Sequence, residues 1–204
     1  MKKISYCFLG IGIALGVISI ALTSFSNAKY NKLVNQFETN QSNIQQLQDL
    51  KESNTSKTDK ITDDMIGLIE IPSINLKYPI LEGIDDTVLK QAVGHFPSSA
   101  LPGEGSNTTL IGHNNFILAE PFKRLSLLSE GDVINIITQN TTYKYQVVKY
   151  YIVDAYNTDI VSPSDEEKLT LVTCTDDAQD RFVVEALLAP EIPSDVLTNQ
   201  IEEE

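Results

Sequence analysis

The sequence predicts a mostly β domain: a closed barrel of seven or eight short strands with short peripheral helices, preceded by one N-terminal transmembrane helix. Three observations carry this prediction. From Met65 onward the chain is broken into short apolar, β-branched runs separated by turn residues. No long helical period and no internal repeat interrupts that texture, which favours a barrel closed on itself. Ahead of it, residues 4–25, "ISYCFLGIGIALGVISIALTSF", run 22 residues without a charge.

That first run is long enough to cross a hydrocarbon core of roughly 30 Å as a helix. Lys2 and Lys3 precede it, so the positive-inside rule keeps the N-terminus in the cytoplasm and exports the rest. "SNA" before Lys29 resembles a cleavage site, but the apolar stretch exceeds the 7–15 residues usual for a signal peptide, so an uncleaved anchor is expected over residues 1–28. Residues 29–62 are rich in Asn, Gln, Ser, Thr and Lys, with a broken helical stripe at Leu33, Phe37, Ile44 and Leu47. They read as a partly helical polar stalk.

The barrel domain is expected over residues 63–190. Its strand candidates are "GLIEI" (67–71), "KYPIL" (77–81), "NTTLIGH" (107–113), "DVINIIT" (132–138), "TYKYQVVKYYIVD" (142–154), "KLTLVTC" (168–174) and "RFVVEALL" (181–188). Alternation in "YKYQVVKYY" fits a half-exposed antiparallel strand. "DDTVLKQAV" (85–93) reads as a short helix with an acidic N-cap, and "EPFKRLSLL" (120–128), with Pro near its start and Gly131 beyond its end, as another. Residues 191–204 form an acidic tail.

With 204 residues the chain holds one ordinary domain and an appendage. A net charge of −13 argues against a nucleic-acid partner, because phosphate binding needs clustered Lys and Arg. There is no P-loop, no Gly-x-Gly-x-x-Gly and no HExxH, so no cofactor and no metal is expected. The carboxylates Asp159, Asp165, Glu166 and Glu167 could hold calcium, but a solvated loop is the reading preferred for them.

The chemistry gathers around Cys174. Cys7 lies within the membrane run, so the exported part has one cysteine without a disulfide partner. Cys174 ends an apolar run and is followed by polar Thr175, Asp176 and Asp177, which places it near the surface. An exposed extracellular thiol is an oxidation liability unless it is used. If the next run pairs back antiparallel, Arg181 returns close to it. A cysteine nucleophile also needs a base or charge partner, and the two histidines are the candidates. His113 ends the apolar run "NTTLIG", so its ring should emerge at a strand end. His95 sits in "AVGHFPSSALPG", where a loop histidine bonded to backbone is the plainer expectation. The fixed fork of Arg181 suits an oxyanion, whereas Arg124 lies on a predicted exposed helix.

"TLVTC" followed by Arg seven residues on, with "LIGHN" about sixty residues upstream, resembles the sortases, the membrane-anchored cysteine transpeptidases of Gram-positive bacteria. The resemblance spans roughly residues 65–188 and includes "IGLIEIPSINLKYPIL", "AVGHFPSSALPGEGSNTTLIGHN" and "FKRLSLLSEGDVINI". It implies the eight-stranded sortase barrel, with Cys174 as nucleophile, His113 as general acid and base, and Arg181 holding substrate and oxyanion. It also implies Thr173 and Asn114 as substrate contacts. The implied reaction cleaves an LPXTG-type sorting signal between Thr and Gly through a thioester, then passes the acyl group to an amine of a peptidoglycan precursor at the outer membrane face.

Departures bear on the subclass. "GHN" stands where many members have "GHR", no aromatic lid motif appears in "TDKITDDM", and the loop before the Cys strand is short. The missing lid sets a class A or class D sortase above the pilin-polymerising class, which joins subunits through a lysine, and the short loop disfavours the class with a long helical insertion there. The rivals from other classes are a non-catalytic tethered interaction module and an L,D-transpeptidase. The latter needs a Ser–x–Gly–Cys–x–Arg cluster that "LVTCTDD" lacks.

Overall fold

The computed structural model describes residues 31–39, 64–114 and 120–190. The anchor of residues 1–28 and the acidic tail of 191–204 lie outside them. Among the described residues no helix is long and apolar enough to cross a membrane.

Eight strands close into one barrel. They are β1 (Met65–Ile71), β2 (Leu76–Glu82), β3 (Val93–His95), β4 (Asn107–Ile111), β5 (Val133–Ile137), β6 (Thr142–Asp154), β7 (Lys168–Cys174) and β8 (Asp180–Leu188). Their order around the wall is β1-β2-β3-β4-β7-β8-β6-β5. Neighbours are antiparallel except β2 with β3 and β4 with β7. Alternation along the strands drives the closure: Ile69 and Ile71, Ile134 and Ile136, Tyr145 and Val147, Leu169 and Leu171, Val184 and Ala186 all join one buried cluster. Burying each Val, Leu or Ile side chain among them contributes about 1.5–3 kcal/mol.

Two helix expectations are corrected. Residues 120–128 form turns and a 3-10 turn at Leu125–Leu127 rather than an α-helix. Phe122, Leu125 and Leu128 are all buried at a spacing of three. That spacing matches the three-residue turn of a 3-10 helix, whose i and i+3 side chains eclipse. The other helix, α2, covers only Asp86–Leu89. Asp85 caps it by accepting from the N–H groups of Thr87 and Val88. Val93 belongs instead to β3, a strand absent from the sequence reading. Gly94 lets β3 lie against the end of β2, since a Cβ there would stand 2.4 Å from the carbonyl oxygen of Gly83.

Residues 31–39 form helix α1, and it is docked rather than free-standing. Val34 and Phe37 pack on Leu68, with Met65 and Ile137 beside them, and Glu38 pairs with Lys77 at 2.8 Å. This part of the polar segment therefore packs against the barrel.

Candidate active site at the rim of β4, β7 and β8

Cys174 is the last residue of β7, and its cross-strand partner on β8 is Arg181. Opposed residues in an antiparallel pair point to the same face, with Cβ atoms about 4.5–5.5 Å apart. A tight loop fixes that register. The Thr175 N–H donates to the carbonyl of Asp180 at 3.0 Å, and the Thr175 hydroxyl donates to Asp177 at 2.6 Å. Ala178 takes the left-handed conformation (φ 59°) that turns the chain back. Arg181 is held by a hydrogen bond from its own Nη1 to the Asp180 carbonyl at 3.0 Å.

The other neighbour of β7 is the parallel strand β4, in which Ile111 lies beside Val172. Carried two residues further, that offset sets His113 level with Cys174. Four hydrogen bonds keep the two exits together. The Gly112 N–H donates to the Val172 carbonyl at 3.1 Å, and the Thr173 hydroxyl donates to the Gly112 carbonyl at 2.8 Å. Asn114 Nδ2 reaches the Cys174 carbonyl at 3.2 Å and Asp176 at 2.8 Å. Gly112 must be glycine, because a Cβ would stand 2.7 Å from the Phe122 ring. Phe122 in turn donates its N–H to the His113 carbonyl at 3.1 Å.

His113 and Cys174 are both half-buried. Burial pushes the His113 imidazole below its ordinary pKa; Asp86 on α2 opposes that shift and Lys90 just beyond α2 adds to it. The neutral ring, which can accept a proton from a thiol, is thereby favoured. Among the described residues Cys174 is a free cysteine, and no group of three or more His, Cys, Asp or Glu side chains could hold a metal.

The remaining predicted residues fall differently. Thr173 is 4% exposed and spends its hydroxyl on Gly112, so it positions the rim rather than facing a ligand. Asn114 bridges the two loops from the half-buried rim. His95 is on β3, not in a loop, and is 2% exposed. Its Nδ1 meets Glu82 at 2.8 Å, and its Nε2 lies 3.1 Å from the Ala100 carbonyl and 3.0 Å from the Ser99 hydroxyl. That is a strut between β2 and the β3–β4 loop. Arg124 is exposed, as expected, with Nη1 on the Ile74 carbonyl.

Asn107 went unread in the sequence, and Glu167 was read there as part of a solvated loop. Asn107 Nδ2 donates to the carbonyls of Ile160 and Ser162, and its Oδ1 accepts from Thr170. Glu167 is not a solvated carboxylate. It accepts from the N–H groups of Gly103 (2.6 Å) and Gly105 (2.5 Å) and from the Tyr145 hydroxyl (2.7 Å). Together they pin the β6–β7 loop and the β3–β4 loop at the starts of β4 and β7, the end of these strands away from Cys174. An "N-x-x" at a strand start or one Glu in an acidic loop carries no sequence signal for such a role.

Comparison with known proteins agrees with this architecture. The family model for the sortase domain matches residues 69–189. Sortase D of Bacillus subtilis is 30% identical over 184 residues, covering 85% of this chain and 89% of that protein. Among solved structures, a Clostridium perfringens sortase D5 transpeptidase superposes with a TM-score of 0.63 at 29% identity, covering 82% of this chain and 100% of its own. Sortase C1 of Streptococcus suis gives 0.61 at 26% identity, covering 69% and 91%. The chain belongs to the sortase family, whose members are cysteine transpeptidases.

Proposed function

We propose that this chain is a sortase of the class A or class D kind that fixes exported proteins to the cell wall. The observation that carries the reading is the placement of Cys174 between Arg181 and the level of His113 across three adjacent strands. The likeness to sortase D of Bacillus subtilis supports the subclass, and the uncharged run behind Lys2 and Lys3 supports a membrane anchor with an extracellular barrel.

The chemistry proceeds in two halves. The neutral His113 ring takes the Cys174 thiol proton, and the thiolate sulfur attacks the Thr carbonyl carbon of an LPXTG-type sorting signal. Arg181 N–H groups hold the oxyanion of the tetrahedral intermediate. As the C–N bond to Gly breaks, the His113 imidazolium gives its proton to the departing nitrogen, leaving a thioester on Cys174. An amine of a peptidoglycan precursor then attacks the thioester carbonyl, and neutral His113 takes its proton. The C–S bond breaks, the amide forms, and the Cys174 thiol is restored by that proton.

The test is incubation of the protein with a library of LPXTG-like peptides and an amine, read by mass spectrometry. The reading expects cleavage at one Thr–Gly bond and a product carrying the amine. A folded protein that cleaves none of the peptides would end it.

A further inference from the structure

An open groove of about 650 Å³ lies at the same end of the barrel as the candidate active site. One wall is the β1–β2 connection with the start of β2, from Ile74 to Tyr78. The other is the segment from Glu120 to Leu127. The second wall is one hydrogen bond from the site, since Phe122 N–H meets the His113 carbonyl. Antiparallel pairing of Ile71 with Leu76 puts the first wall at the start of β2. The parallel match of Leu81 with Gly94, and the antiparallel match of Gly94 with Ile111, set β2 and β4 running in opposite directions, so the start of β2 lies at the same end of the barrel as the exit of β4.

The groove is electrically unlike the rest of the molecule. From Ile61 onward the chain has 8 basic residues against 24 acidic ones, and three of the eight, Lys77, Lys123 and Arg124, line it. They come from both walls. Arg124 is steadied through Nη1 by the Ile74 carbonyl, with the rest of its fork bordering the groove. The carboxylates nearby are Glu38, on Lys77 at 2.8 Å, and Glu120, on Lys123 at 2.6 Å. Exposed pairs of this kind are worth little, about 0–1 kcal/mol, and give way to a multivalent anion. Cations on two facing walls, one of them an arginine fork, suit phosphate oxygens.

We propose that this groove is a phosphate or diphosphate subsite for the amine acceptor, holding the anionic part of that substrate while its amine reaches Cys174 past His113. The inference rests on the acyl-transfer reading above, and it names the recognition element for the second substrate. A membrane phospholipid headgroup carries the same chemistry, so the test separates the two sources.

The full-length chain in nonionic detergent is titrated with inorganic pyrophosphate by calorimetry. Acyl transfer from a cleaved sorting peptide is then compared between amino-alkyl phosphates of graded length and the matching amino alcohols. The expected results are pyrophosphate binding that weakens with salt, and a preference of about tenfold for the best phosphate-bearing amine. Both should collapse in Lys123→Glu and in Arg124→Gln, and persist in Lys149→Gln on β6. Lys123 makes only a surface pair, so its variant keeps the test alive if Arg124→Gln disturbs the β1–β2 connection. Pyrophosphate that displaces the chain from phosphatidylglycerol vesicles, but leaves the amine preference at one, assigns the subsite to lipid and overturns the acceptor role. Absence of pyrophosphate binding at low salt, or unchanged binding in both groove variants, overturns the subsite itself. If pyrophosphate binds but no peptide is cleaved, the acyl-transfer reading fails and the anion site stands.

Discussion

Cys174 and Arg181 are direct cross-strand partners, the last residue of β7 set against the second residue of β8. The hairpin between them is short and internally bonded, so the backbone fixes the register that sets the two residues opposite each other.

This relation fixes the first prediction. Removing one preorganised oxyanion donor typically costs about 10²–10³ in kcat. Arg181→Ala should lose that much peptide cleavage while Cys174→Ala loses all of it. Arg181→Lys should remain at least about tenfold impaired, since a point charge does not reproduce the fork. Steady-state cleavage with circular dichroism to establish folding checks all three. Full activity in Arg181→Ala would remove arginine from the mechanism.

The second prediction concerns pH. Burial lowers the His113 pKa, so the acid limb of kcat/KM should lie below the ordinary histidine value, because the ring must be neutral to accept the thiol proton. Asp86 favours the charged ring and Lys90 disfavours it. Asp86→Asn should therefore move the limb to lower pH and Lys90→Gln to higher pH. The chain has two histidines, so NMR titration of ring protons reads the same shifts directly. Movement of both variants in one direction would contradict the assignment.

Thr173 supplies the third. Its hydroxyl is the donor that ties β7 to the exit of β4. Thr173→Val keeps the shape but leaves a buried carbonyl without this partner, which costs about 1–3 kcal/mol. Thermal unfolding should show that loss. Because the bond also levels His113 with Cys174, kcat should fall with little change in KM. By contrast, His95→Ala should lower the melting temperature, through loss of the Glu82 and Ala100 contacts, while sorting-peptide cleavage survives.

How much of this was legible depended on the range of the forces involved. β7 and β8 are written in consecutive β-branched runs, and a short polar loop between such runs implies an antiparallel return, so the nearness of Cys174 and Arg181 could be read directly. β3 could not be read. Val93, Gly94 and His95 are too few to show alternation, and they are a strand only because β2 and β4 bond them from both sides. The 120–128 segment carries real helix signals at its ends, but its apolar spacing of three belongs to a tighter turn. Glu167 was opaque for a different reason. Two of its partners are backbone amides 62 and 64 residues away, which leave no side-chain signature.

That last residue gives the final prediction. Glu167 collects two glycine N–H groups and the Tyr145 hydroxyl, and burial together with this carboxylate raises the Tyr145 pKa far above its usual value. Hydrogen bonds to a charged acceptor contribute about 1.5–3 kcal/mol each, so the carboxylate is the main tie between the β3–β4 loop and β7. Glu167→Gln keeps the size but replaces one anionic oxygen with an NH₂ donor facing N–H or O–H donors. The variant should be destabilised by about 2–3 kcal/mol. Amide hydrogen exchange at Gly103 and Gly105 should accelerate at least about tenfold, with protection in β5 reduced no more than global stability requires. If those two amides exchange as in the parent, Glu167 is not what holds the loop.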